Sequence, residues 1–135
     1  MKCVMIIDES LPLGLIANTA AVLGVSIGAY AREMVGEDVF DGERCVHPGI
    51  TQLSIPLLQG CSASIAELRR KVQELADPAL YSVDFCDVAQ KSKHYEHYRS
   101  RLAETRGDEL QYLGMALYGP DAQVKALTGQ MALLR

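Results

Sequence analysis

The first 28 residues constrain the fold most, because a continuous apolar segment passes through a short polar loop into a helix of small residues. Five consecutive apolar residues, Cys3 to Ile7, predict a strand buried on both faces. The next helix has an apolar stripe at four-residue spacing: Leu15, Thr19, Leu23 and Ile27. Open α/β sheets bind ligands at the carboxyl ends of their strands. The loop from Asp8 to Ser10 is therefore the expected site.

Three further strands are predicted along the chain. The segment around Leu53 and Leu57 alternates and contains Pro56, which is typical of an edge strand. Residues 81–85 also alternate, whereas residues 112–118 are continuously apolar like the first strand. The first and fourth strands therefore belong in the centre, which gives the order 2-1-4-3. Helical connections would cover both faces, so we expect a three-layer α/β/α domain.

Length and composition predict one globular domain over residues 1–135, with 49% hydrophobic and 22% charged residues. We expect a cytoplasmic protein without membrane contact, because no apolar run approaches membrane-spanning length. The four cysteines show no CxxC spacing, and neither a metal site nor a cofactor is predicted. A net charge of −4 disfavours RNA. The basic segment from Lys91 to Arg106 is read as a solvated helix face, with a phosphate-binding patch as the alternative.

Polar residues near the first strand and in a long connection are the candidate site. Asn18 is the only amide in the first helix, where it would either anchor the Asp8 loop or contact a ligand. Asp8 itself suits a turn or acid–base chemistry. His47 is the best candidate for proton transfer because imidazole titrates near neutrality. The expected ligand-binding set is Asp8, Ser10, Asn18, Asp41, His47 and Tyr118, of which His47 and Asn18 would be catalytic in an enzyme.

Four sequence strings carry a family resemblance: MIIDESLPLGLIANTAAVLG, VFDGERCVHPG, SVDFCDVAQ and QYLGMALYGPDAQVKALTGQMALLR. They resemble the family designated domain of unknown function 2000. That family is similar in fold to the type 2 peptidyl-tRNA hydrolases, which implies a four-stranded mixed sheet of order 2143 and a homodimer. Gly14 matches the glycine that opens the first helix of those enzymes, but Leu15 and Val22 stand near their lysine and histidine. The resemblance therefore implies the fold and not peptidyl-tRNA hydrolysis.

Three functions from different classes remain, of which the third is a structural or interaction module whose pocket is vestigial. The first is a binding domain that holds a small polar ligand at the pocket between the first strand and the first helix. The second is a hydrolase or acyl-transfer enzyme acting on an RNA-linked or small ester, with His47 moving protons and Asn18 orienting the substrate. The first two require Asp8, Asn18, His47 and Tyr118 to converge in space.

Overall fold

Strands and helices alternate along the chain. The computed structural model describes residues 1–135, with short 3-10 turns at Arg32–Met34 and Gly107–Glu109. In chain order its elements are β1 (Lys2–Asp8), α1 (Leu13–Tyr30), β2 (Val39–Phe40), β3 (Val46–His47), β4 (Leu57–Gly60), α2 (Ser62–Leu75), β5 (Tyr81–Cys86), α3 (Asp87–Lys91), α4 (Tyr95–Glu104), β6 (Tyr112–Gly119) and α5 (Asp121–Thr128).

The main sheet has four strands in the order β4-β1-β6-β5. Strand β1 is parallel to β4 and antiparallel to β6, and β6 is antiparallel to β5. In the numbering of the predicted strands this is the order 2-1-4-3, so the predicted mixed sheet is confirmed. The two continuously apolar segments form the two central strands, because only a central strand has both faces and both edges covered.

Two apolar cores lie on opposite faces of the sheet. In β1, Val4 and Ile6 belong to one core, while Cys3, Met5 and Ile7 belong to the other. Helices α2 and α5 contribute to the first core, and α1 contributes to the second. The layers are therefore α/β/α, as the pattern predicts.

Helix α1 approaches β6 closely at one glycine. A β-carbon on Gly114 would lie 2.5 Å from Cγ2 of Thr19, so only glycine fits there without a shift. Thr19 is fully buried, and its hydroxyl donates a 2.7 Å hydrogen bond to the carbonyl of Leu15. The predicted stripe is confirmed at Thr19, Leu23 and Ile27, which are the buried residues of α1.

Helix α1 also corrects the expectation about membrane-spanning length. The helix has 18 residues with a mean hydropathy of 1.6. By length and composition alone, it is long and apolar enough to cross a membrane. One face nevertheless packs on the sheet, as in the core helix of a globular domain. Only 17% of its residues are buried in this chain, so its outer face is open.

Other predicted elements differ in their bounds. The edge strand predicted around Leu53 and Leu57 is β4, which begins only at Leu57, directly after Pro56. Proline lacks the N–H that pairing in a sheet requires. Helix α2 begins with a capping box formed by Cys61 and Ser64. The long connection that carries Asp41 and His47 contains the two-stranded hairpin β2–β3.

Candidate functional site

An open cavity of about 890 Å³ lies against the β2–β3 hairpin. Its walls come from residues 35–39 and 47–52, which run past one another as two segments. The amide of Gly36 donates to the carbonyl of Ile50 over 2.9 Å, and the amide of Gly49 donates to Oδ1 of Asp38 over 2.9 Å. The segments approach so closely at Gly36 and Gly49 that a β-carbon on Gly49 would clash with backbone. The cavity is thus built by local backbone contacts outside the main sheet.

Asp41 organises the turn between β2 and β3. Its Oδ1 accepts hydrogen bonds from the amides of Glu43 (2.8 Å) and Cys45 (3.0 Å). Arg44 adopts a left-handed conformation with φ of 65°, which lets the chain reverse within this short turn. The turn therefore brings residues 41 and 47 together across the hairpin.

Asp41 and His47 form the polar pair of this site. Oδ2 of Asp41 lies 2.9 Å from Nε2 of His47, and His47 also lines the cavity. The hydrogen bond from His47, followed by those from the amides of Cys45 and Glu43, lowers the pKa of the Asp41 carboxyl. An ionised carboxylate only accepts, so Nε2 donates the proton, and Nδ1 of His47 has no partner in the structure. A carboxylate-oriented imidazole with one open nitrogen can accept a proton or a ligand hydrogen bond.

Three donor groups in the same turn lie within metal-bridging distance. Asp41, Glu43 and Cys45 place one ligand atom each within 4.8 Å of one another, and all three are exposed. Both oxygens of Asp41 already accept hydrogen bonds. A cation would therefore compete with the contacts that hold the turn.

The Asp8 loop follows β1 at the expected edge of the sheet. Oδ1 of Asp8 accepts hydrogen bonds from the amide (2.9 Å) and the hydroxyl (2.7 Å) of Ser10. These contacts are those of a turn-forming aspartate, one of the two roles considered for it. Cys61 lies at the same edge, because β4 is parallel to β1 and Gly60 pairs with Asp8.

Asn18 and Tyr118 are placed differently from the expectation. Asn18 is exposed, and its side chain makes no hydrogen bond to the Asp8 loop, so the anchoring role is wrong. It lies one residue from the buried Thr19, about 100° around the helix and off the buried stripe. Tyr118 is 4% exposed, and its hydroxyl donates to Oε1 of Glu33 over 3.1 Å. It packs in the core.

The six candidate residues do not form one pocket. Tyr118 pairs with Cys3, five residues from Asp8 along β1, which corresponds to about 16 Å. The large cavity is lined by His47 but by none of Asp8, Asn18 or Tyr118. The structure unites Asp8 with Ser10 and Asp41 with His47, and it keeps the two pairs apart in different segments.

Two further features were missed from the sequence. Cys61 is exposed at the start of α2, where Sγ accepts a 3.4 Å hydrogen bond from the amide of Ser64. The polar residues before the apolar residues of α2 predict a helix start, and this signal could have pointed to Cys61. A second cavity, of about 350 Å³, lies beside β5 and the connection from α3 to α4. No spacing rule reveals that cavity, because its walls come from distant segments.

Comparisons with known proteins support the fold and the family. A protein of unknown function from Agrobacterium tumefaciens strain C58 (Atu0240) has a similar structure, with a TM-score of 0.87 and 20% sequence identity. The match covers 98% of this chain and 96% of that protein. No curated protein sequence matches this chain. The family model "Protein of unknown function (DUF2000)" matches residues 1–135. The chain therefore belongs to the DUF2000 family.

Proposed function

We propose that this protein binds a small polar ligand in the cavity lined by residues 35–39 and 47–52. The observation that carries the proposal is the Asp41–His47 hydrogen bond of 2.9 Å, which fixes an imidazole on the wall of a cavity of about 890 Å³. That volume lies within the range of small-molecule sites. The site differs from the expected one between β1 and α1, where the Asp8 carboxylate is engaged in its own turn.

The charge of the cavity favours a particular ligand chemistry. Glu37 and Asp38 line it, and no Lys or Arg does. Thr51 and Gln52 add polar groups to the wall. Acceptors therefore exceed cationic donors, so we expect a neutral or cationic molecule that presents hydroxyl or amino groups.

The second candidate function is hydrolysis or acyl transfer on an RNA-linked or small ester. One observation favours it: Nδ1 of His47 is free while Nε2 is held by Asp41. In that role Nδ1 would take a proton from an attacking water or hydroxyl, and Asp41 would stabilise the imidazolium. The exposed position of Asn18 gives it no part in this cavity.

We also propose that the protein is a cytoplasmic homodimer paired through the outer face of α1. Leu13 and Val25 are 81% and 74% exposed, and α1 contains no charged residue. Ala17 and Ala21 are exposed between them and would let two backbones approach closely. A two-fold axis across α1 would make the same patch face itself, as an isologous interface requires. Val25→Glu should then yield monomers in sedimentation, with Val39→Glu on the hairpin as the control.

The binding proposal is tested by a fragment screen followed by amide chemical-shift mapping. A panel of polyols, amino acids, amino sugars and small amides should contain a member that shifts the amides of residues 35–52. His47→Ala should weaken that binding about tenfold, because it removes a charge-oriented hydrogen bond. His97→Ala changes an exposed histidine on α4 and should leave it unchanged. A panel without any hit in residues 35–52 would contradict the proposal.

The enzymatic candidate needs a separate measurement. Small p-nitrophenyl esters and a peptidyl-RNA would be incubated with wild type, His47→Ala and His97→Ala. Turnover that disappears only in His47→Ala supports catalysis. Ligand binding without turnover would support the binding function and contradict the enzymatic one.

A further inference from the structure

The second cavity is the most ligand-like feature outside the hairpin. It encloses about 350 Å³ beside β5, the edge strand of the main sheet, and α1 forms its opposite wall. The connection from α3 to α4 closes one end with residues 92–95. Its volume falls in the range of small-molecule sites.

One part of this cavity is apolar and aromatic. Val22, Val83 and Phe85 form its floor between α1 and β5. Tyr95 and Tyr98 stand at its side as an edge-to-face pair, with ring centroids 5.6 Å apart and an interplanar angle of 77°. A flat apolar molecule could pack between these rings and the floor.

The other part is polar and electropositive. Lys93 and His94 line it, and neither side chain has an ion-pair or hydrogen-bond partner in the structure. Asp84 also lines the cavity, but its carboxylate is 2.9 Å from Nε of Arg69, a residue of α2. That carboxylate is already paired. Lys93 therefore keeps its positive charge available to a ligand in the cavity.

The start of α4 strengthens the preference for an anion. Helix α4 has ten residues, and its N-cap residue, His94, makes no side-chain cap. The first amides of an uncapped helix lack partners and carry partial positive charge. They lie at the same end as Lys93, so the lysine, the helix start and the aromatic wall belong to one cavity.

We propose that this cavity binds a small molecule that joins a flat apolar body to one anionic group, a carboxylate or a phosphate. The apolar body would lie against Phe85 and the tyrosine pair, and the anion would face Lys93 and the α4 amides. This site is separate from the hairpin cavity, whose wall is acidic. The two sites therefore favour different ligands, an anion here and a neutral or cationic molecule in the hairpin cavity.

The test uses three probes with the intact protein: phenyl phosphate, inorganic phosphate and phenol. Amide chemical shifts should map phenyl phosphate to Ser26, Phe85 and residues 92–98. Phenyl phosphate should bind at least tenfold more tightly than either of the other two, because each of them retains only half of the contacts. Benzoate should map to the same residues if a carboxylate also suits the site.

Two lysines in the same basic segment supply matched variants. Lys93→Glu should weaken phenyl phosphate about tenfold and leave phenol unchanged. Lys91→Glu makes the same charge change at an exposed residue outside the cavity and should change binding less than twofold. Ser26→Phe should fill the cavity and block both phenol and phenyl phosphate. Equal weakening by both lysine variants would reveal general charge attraction and overturn the proposal, as would probe shifts at other residues.

Discussion

A β-carbon on Gly49 would lie 1.8 Å from the carbonyl oxygen of Gly36. The two backbone segments are therefore so close that only glycine fits at position 49. This contact joins the two walls of the hairpin cavity. Residues 36–50 contribute nothing to either apolar core. The cavity and the sheet therefore depend on different contacts.

Gly49→Ala should open the hairpin cavity and leave the sheet folded. The added methyl must displace the backbone at Gly36, since carbonyl oxygens cannot be approached to 1.8 Å. We expect at least tenfold faster amide exchange in residues 35–52 and little change in β1 or β6. Gly42→Ala is the control, because a β-carbon there meets nothing within 4 Å. Unchanged exchange in Gly49→Ala would disprove the contact.

Gly114→Ala should destabilise the whole domain. The methyl would lie 2.5 Å from Cγ2 of Thr19 and 3.2 Å from Cδ1 of Leu23, in a fully packed layer. We expect a loss of about 1–3 kcal/mol in the free energy of unfolding, measured by urea denaturation. Gly28→Ala, in the interior of α1, has open space around its β-carbon and should add about 1 kcal/mol. The two variants should therefore change stability in opposite directions.

The pH dependence of the β2–β3 hairpin should follow Asp41. Its pKa is lowered in the fold, first by the hydrogen bond from His47. A lowered pKa means that the stabilising contribution is present above the unfolded value of about 3.9 and is lost as pH falls through the folded value. Carbon-13 titration of the Asp41 carboxyl should give a midpoint below 3.9. His47→Ala should raise that midpoint, whereas Glu43→Gln should not, because residue 43 acts through its backbone amide.

Among Cys3, Cys61 and Cys86, the thiol of Cys61 should ionise most readily. The amide of Ser64, followed by its hydroxyl, lowers the pKa of Cys61, whereas burial raises the pKa of Cys3 to about 11. Burial also raises the pKa of Cys86. Native alkylation with iodoacetamide near pH 7 should modify Cys61 and spare the two buried thiols. Ser64→Ala should raise the pH midpoint for Cys61, and unfolding in guanidinium should make all thiols react.

The layers and the strand order could be predicted because burial leaves a pattern in the sequence. Continuous apolar residues identified β1 and β6 as central, and the stripe of Thr19, Leu23 and Ile27 identified the buried face of α1. The direction of β6 leaves no such pattern. It runs antiparallel to β1, which places Tyr118 beside Cys3 and not beside Asp8. Tyr118 and Asp8, which were expected in one site, therefore lie at opposite ends of β1.

The candidate site was only half predictable for a related reason. Asp41 and His47 were both named from their residue types, but their contact depends on the left-handed turn at Arg44. That conformation is uncommon for arginine, so local sequence gives little signal for it. The exposure of Asn18 could have been read from the stripe itself, because Asn18 precedes Thr19 by a single residue.

Strand β1 is the first strand of the chain to be synthesised, but its pairing with neighbouring strands is completed last. It is paired on one side with β4 and on the other with β6, and Cys3 meets Tyr118 across the sheet. Until β6, in the C-terminal fifth of the chain, has been synthesised, β1 lacks its partner strand along one edge. Such long-range pairing slows folding and exposes apolar segments to aggregation. The four-stranded sheet can therefore close only after β6 has been synthesised.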